Sequence, residues 1–174
     1  MKERIQILKK AFKKIGKDIE SERLEAVENK SNAGLVIAIG GAEDKSFHGK
    51  ILNRVFNLAG GKGINIVIIP WASESKDAGK IYEKIFSHLG AKEVFLLKEK
   101  DKEKSAKCIE DSALLFFVGG DQKRLLDVLE DMDLVDHIRS SNADGLVVAG
   151  TSAGASILGE HMPYYSSEEE KTLY

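Results

Sequence analysis

The sequence predicts an α/β domain with a parallel sheet and helices on both faces, and three observations predict it. Five short apolar runs recur along the chain, GLVIAIG (34–40), INIVII (64–69), EVFLL (93–97), ALLFFV (113–118) and GLVVAG (145–150). Near-continuous apolar runs of this length are what strands covered on both faces require. Segments of helical period lie between them, and alternation of strand with helix builds a parallel sheet through right-handed crossovers. Four of the five runs also end in glycine or small polar residues, at the carboxyl strand ends where open α/β sheets gather function.

The N-terminus stands apart from this pattern. Ile5, Leu8, Phe12, Ile15 and Ile19 recur at spacings of three and four, which predicts an amphipathic helix over residues 1–30, ahead of the α/β domain at 31–174. Its first seventeen residues carry seven lysines and arginines against Glu3 alone. A membrane-surface or partner-helix role is one reading of that charge. The other, preferred here, is a solvated basic face behind an apolar stripe that packs on the domain or on a second copy.

Between the first two runs, Phe47, Ile51, Leu52, Val55 and Phe56 have helical period, and Gly60 or Gly61 is placed to end that helix. Ile81, Ile85, Phe86 and Leu89 mark the next helix. Leu125, Leu126, Val128 and Leu129 mark another, continued by Val135 and Ile138, with Asp121 in position to cap its start. The stretch KEKDKEK after the third run reads as a charged loop, and SSEEEK near Tyr174 as a solvated charge run.

Composition excludes several function classes. The chain has 174 residues, 43% of them hydrophobic and 31% charged, enough for one domain with a core of its own. A net charge of −2 gives no footprint for nucleic acid. No run approaches the eighteen apolar residues of a membrane span. The lone Cys108 has no partner for an internal disulfide and reads as a half-buried structural thiol. A soluble, cytoplasmic protein is expected. GGAEDK and AGGKG match neither dinucleotide nor P-loop spacing, so nucleotide binding is not expected.

The most specific motif is Gly150-Thr151-Ser152-Ala153-Gly154, a G-x-S-x-G sequence between a strand and the helix-compatible ASILGEH. A sharp turn there lifts the Ser152 hydroxyl to the sheet edge, with the Ala153 N–H beside it as an oxyanion donor. The alternative is a glycine-rich turn that only caps a helix. After the fourth run, Gly120 is a second candidate oxyanion donor and Gln122 a candidate substrate-orienting group. The chain has four histidines to serve as base. His88 and His137 lie in helices that lead into strands, at the opposite edge from Ser152. His161 is nine residues on, about 14 Å away if the helix continues at ~1.5 Å per residue. His48 alone is expected on the correct edge.

The blocks GLVIAIGGAEDK, ILNRVFNLAGG, INIVIIPWASE, FFVGGDQKRLL and GLVVAGTSAGAS, in this order and spacing, resemble the cyanophycinase branch of peptidase family S51, which also includes aspartyl dipeptidases. The likeness covers residues 34 to about 160 and the first two-thirds of a family member. It implies a flavodoxin-like sheet related to class I glutamine amidotransferases. It also implies Ser152 as nucleophile, Ala153 and Gly120 as oxyanion donors, and Gln122 in contact with substrate. The expected reaction is hydrolysis of an aspartyl peptide bond of the β-Asp-Arg type through an acyl-enzyme, without metal or cofactor. In the family the histidine and acid of the triad follow the elbow in sequence not contained in these 174 residues. A complementary C-terminal fragment is therefore an expected partner, beside a peptide substrate and a second copy in a homodimer. The alternatives are a pseudoenzyme or peptide-binding module on the same fold, or another hydrolase whose base is His48 or comes from a partner chain.

Overall fold

The computed structural model describes residues 33–98 and 101–162. The predicted helix at 1–30 and the charge run at 166–171 lie outside the described residues. The chain forms β1 (Val36–Ile39), α1 (Lys50–Leu58), β2 (Asn65–Ile69), α2 (Ala78–Leu89), β3 (Glu93–Leu96), α3 (Lys102–Glu110), β4 (Leu114–Phe117), α4 (Gln122–Asp131), α5 (Val135–Ala143), β5 (Val147–Thr151) and the single turn α6 (Ala153–Ser156). All four strand pairings are parallel, in the order β1-β5-β4-β2-β3. Counted from β2, the four strands β3-β2-β4-β5 follow the 2-1-3-4 order of a flavodoxin-like sheet, and β1 adds itself beyond β5.

The apolar runs become strands because both faces of the sheet are covered. On one face Ile66, Ile68, Leu114, Phe116, Val147 and Ala149 meet Leu52, Val55 and Phe56 of α1 and Tyr82, Ile85 and Phe86 of α2. On the other, Val67, Ile69, Leu115, Phe117 and Val148 meet Ile109 of α3, Leu125 and Leu129 of α4 and Ile138 of α5. The side chains alternate between the two cores along each strand, as the two-residue period demands. Central β4 and β5 are buried throughout, whereas the edge strands β1 and β3 are partly exposed.

Three sequence expectations change. KEKDKEK is not a loop beyond Asp101: that residue's carboxylate accepts the Lys104 N–H at 3.0 Å and starts α3, a polar helix that buries only Ser105 and Ile109. So few apolar positions leave no periodicity to read. The helix after Asp121 does not run on to Ile138, because Asp133 (φ 51°) breaks it into α4 and α5. The helix after Ser152 stops at Ser156, so the helical path drawn to His161 does not exist. The helix ends were placed correctly: Asp121 caps α4 through the Lys123 and Arg124 amides, and Gly61 N–H closes α1 on the Phe56 carbonyl at 2.9 Å.

Chain direction creates the functional edge. After β1 the chain turns to the face covered by α1, and after β5 it turns to the opposite face, where Ala153, Ile157 and Leu158 pack. Divergence of adjacent connections opens a crevice at the carboxyl ends of β1 and β5.

Candidate active site

An open cleft of about 520 Å³ occupies that crevice, lined by Ile39, Gly40, Gly120, Gln122, Ser152, Ala153, Ala155 and Ser156. Ser152 is exposed at its floor with φ 54° and ψ −118°. A serine with positive φ is strained, and such residues persist only where their surroundings fix them. The fixing contacts come from the ends of β1 and β4. The Ser152 N–H donates to the Ile39 carbonyl at the end of β1 (2.9 Å). Gly41 and Gly119 close on its Cβ from two sides, so near that a methyl group on either would lie 3.2 or 3.0 Å from it.

The glycines of G-x-S-x-G are required by close backbone approach. A Cβ on Gly150 would stand 2.0 Å from the Gly154 carbonyl oxygen, and one on Gly154 would stand 2.5 Å from the Phe117 carbonyl oxygen. Gly120 is pinned similarly: it adopts φ 152°, and a Cβ there would fall 2.0 Å from the Ala72 carbonyl oxygen after β2. That same carbonyl accepts the Asp121 N–H at 2.8 Å, locking the turn that leads into α4.

The cleft therefore brings together all four residues singled out from sequence, Ser152, Ala153, Gly120 and Gln122. Among the described residues no acceptor takes the Ala153 or Gly120 N–H, and the Ser152 hydroxyl has no hydrogen-bond partner. Paired amides at a turn, next to an exposed hydroxyl, suit stabilisation of an oxyanion formed on that hydroxyl's target. No histidine is among the lining residues. His48 is exposed beside Phe47, whose ring stacks on His88 with centroids 4.2 Å apart, and His137 Nε2 lies 3.2 Å from the Ala106 carbonyl. His48, the base of the alternative hydrolase reading, does not line the cleft. Among the described residues no group of three His, Cys, Asp or Glu side chains is placed to hold a metal, and no helix is long and apolar enough to cross a membrane.

Sequence reasoning missed the polar assembly beneath the cleft. Glu43, in the loop after β1, has a fully buried side chain. It accepts hydrogen bonds from Thr151 Oγ1 (2.6 Å) and the Tyr82 hydroxyl (2.5 Å), and Lys45 Nζ lies 3.3 Å away. Burial pushes this carboxyl upward, but the bonds from Thr151, Tyr82, its own amide and Lys45 outweigh burial and hold it below the ordinary carboxylate value. Tyr82 moves the opposite way, far above an ordinary phenol, because burial and the adjacent carboxylate both oppose its ionisation. No sequence signal marks it, because an acid is seldom buried unpaired and the partners of Glu43 come from distant elements.

Comparison with known proteins gives the family and the fold. The model of peptidase family S51 matches residues 35–173. The cyanophycinase of Geminocystis herdmanii is 43% identical over 73% of this chain and 49% of its own length. That of Trichormus variabilis is 37% identical over 83% and 51%. The chain thus spans about half the length of the curated relatives it matches. Among solved structures, a peptidase from an acI-B1 Actinobacterium superposes with a TM-score of 0.61 at 26% identity, over 76% of this chain and 59% of that one. A family model covering most of the chain, joined to a strained serine at the end of a parallel strand, gives its place: this chain belongs to peptidase family S51.

Proposed function

We propose that this chain carries the nucleophile side of a serine-type exopeptidase that cleaves aspartyl peptide bonds of the β-Asp-Arg type. The observation that carries the reading is the exposed, strained Ser152 at the floor of a cleft whose Ala153 and Gly120 amides are uncommitted among the described residues. In the proposed reaction the Ser152 Oγ attacks the scissile carbonyl carbon, and its proton passes to a base. The carbonyl oxygen becomes an oxyanion held by the Ala153 and Gly120 amides. Collapse breaks the C–N bond, the amine leaves with the proton, and water hydrolyses the remaining ester. Gln122, at the start of α4, orients the substrate. The base and its acid belong to sequence outside the 174 residues, and the aspartyl specificity rests on similarity to the cyanophycinases.

Protein carrying any sequence that continues past Tyr174 tests this directly. Treated with a fluorophosphonate, it should gain one adduct by intact mass, mapped to Ser152. It should also release Asp-Arg dipeptide from a β-aspartyl-arginine polymer. Ser152→Ala should lose both, with turnover falling by at least about 10⁴-fold. Absence of the adduct in the unaltered protein overturns the reading and leaves a peptide-binding role.

A further inference from the structure

The chain has three non-glycine residues at positive φ, among the described residues: Ala42 (53°), Asp133 (51°) and Ser152 (54°). Asp133 marks the break between α4 and α5. The other two flank one hydrogen bond, for Ala42 precedes Glu43 and Ser152 follows Thr151, and the Thr151 hydroxyl donates to the Glu43 carboxylate. Two strained positions, 110 residues apart in sequence, thus meet across a single buried bond. Strain at each survives only where the surroundings enforce it.

The bond sits where enforcement is needed. Thr151 is the last residue of β5 and 2% exposed. Glu43 ends the Gly40-Gly41-Ala42 loop, and within that loop Gly40 lines the cleft and Gly41 abuts the Ser152 Cβ. A charged acceptor makes the Thr151 bond shorter and stronger than one between neutral groups. The second carboxylate oxygen is held by Tyr82 of α2, itself packed on Phe116 of β4 with ring centroids 4.8 Å apart. Glu43 is thereby fixed to a rigid helix and sheet on one side and presents a fixed acceptor to the elbow on the other.

We propose that Glu43 is a positioning residue for Ser152: through Thr151 and the Gly40–Ala42 loop it holds the elbow in the geometry that aims the serine hydroxyl into the cleft. Glu43 touches no substrate, so its loss should misplace the nucleophile without removing binding groups. A misplacement of about 1 Å costs on the order of 100-fold in rate. This inference rests on the proposed role of Ser152, and the test separates the two.

The same full protein should be compared as wild type, Glu43→Gln, Thr151→Val and Thr151→Ser, well below each melting temperature. The Glu43→Gln and Thr151→Val variants should lower kcat and the fluorophosphonate rate constant together by about 10- to 100-fold, with KM changed by less than about threefold. Thr151→Ser, which keeps the hydroxyl, should restore most of the rate. Amide hydrogen exchange at Gly41 and at residues 152–154 should accelerate in the first two variants and stay near wild type in the third. Unchanged labelling and exchange in a folded Glu43→Gln or Thr151→Val protein overturns the proposal. If the wild type takes no label while exchange still follows the pattern, the positioning role stands and the nucleophile reading falls. A variant that does not fold shifts the decision to the other two: Thr151→Val replaces the hydroxyl by a methyl group, Thr151→Ser keeps the hydroxyl without the methyl group, and Glu43→Gln removes the charge of the acceptor.

Discussion

The turn after β5 and the loop after β1 both end on Ser152, yet they are built on different physical terms. Around the end of β5 the constraint is steric: Gly150, Gly154 and, after β4, Gly119 are glycines because neighbouring backbone or the serine itself occupies the place of a side chain. After β1 the constraint is electrostatic: Glu43 is fixed by partners from β5 and α2 that lie 108 and 39 residues away. Steric requirements are local and leave a motif. A polar network drawn from three elements leaves none.

Breaking the steric side should have the larger effect. Gly150→Ala puts a methyl group into the Gly154 carbonyl at a distance no small adjustment relieves, because both groups are backbone. Overpacking usually costs about 1–3 kcal/mol and more when the neighbour cannot yield, so a loss of about 3 kcal/mol or more is expected. Urea unfolding followed by circular dichroism measures it. A loss under about 1 kcal/mol would show that the elbow has room the structure does not display.

This contrast also explains how much of the molecule was legible in its sequence. The five strands were legible because burial on both faces imposes unbroken apolar runs, and α1, α2 and α4 because each keeps a face on one core. The polar helix α3 was not, since its stability comes from the Asp101 cap and two buried residues. That Ser152, Ala153, Gly120 and Gln122 stand at one edge was legible because glycine spacing at strand ends records backbone crowding. Glu43 stands inside GGAEDK with nothing in the sequence to mark its burial. Only the fold reveals that Thr151 and Tyr82 face its two oxygens.

Breaking the electrostatic side should cost less and should depend on pH. Tyr82→Phe removes one donor from a buried carboxylate that keeps Thr151 and Lys45, a loss of about 1.5–3 kcal/mol. The sign of the pH effect follows from the direction of the Glu43 shift. Because the folded protein holds this carboxyl below its ordinary value of 4.5, its contribution is complete above that value and is lost as pH falls through the lower, folded one. Exposed Asp44, Asp77 and Asp133 are shifted in the same direction, so the wild-type acid limb contains several groups. The difference between wild type and Glu43→Gln isolates one of them. The melting temperatures of the two proteins should lie furthest apart near neutral pH and converge as pH falls below 4.5. A constant gap across that range would mean that the carboxylate's ionisation does not contribute to the fold.

The smallest effect is expected at His48, and it sharpens the comparison from outside both regions. His48 follows Glu43 by only five residues, and from sequence it was the one histidine on the edge that carries Ser152. In the structure the chain between them turns away: Asp44 accepts from the Ser46 amide and hydroxyl, Ser46 accepts from the His48 amide, and Phe47 stacks on His88. These short-range bonds order an exposed loop, and none reaches the cleft. His48→Ala should therefore leave the fluorophosphonate rate at Ser152 within about twofold of wild type and shift stability by no more than about 0.5 kcal/mol, as exposed substitutions do. A tenfold loss of labelling would place a base where the geometry puts none. It would also mean that the loop after β1 serves Ser152 by proton transfer at residue 48, in addition to the fixed carboxylate at residue 43.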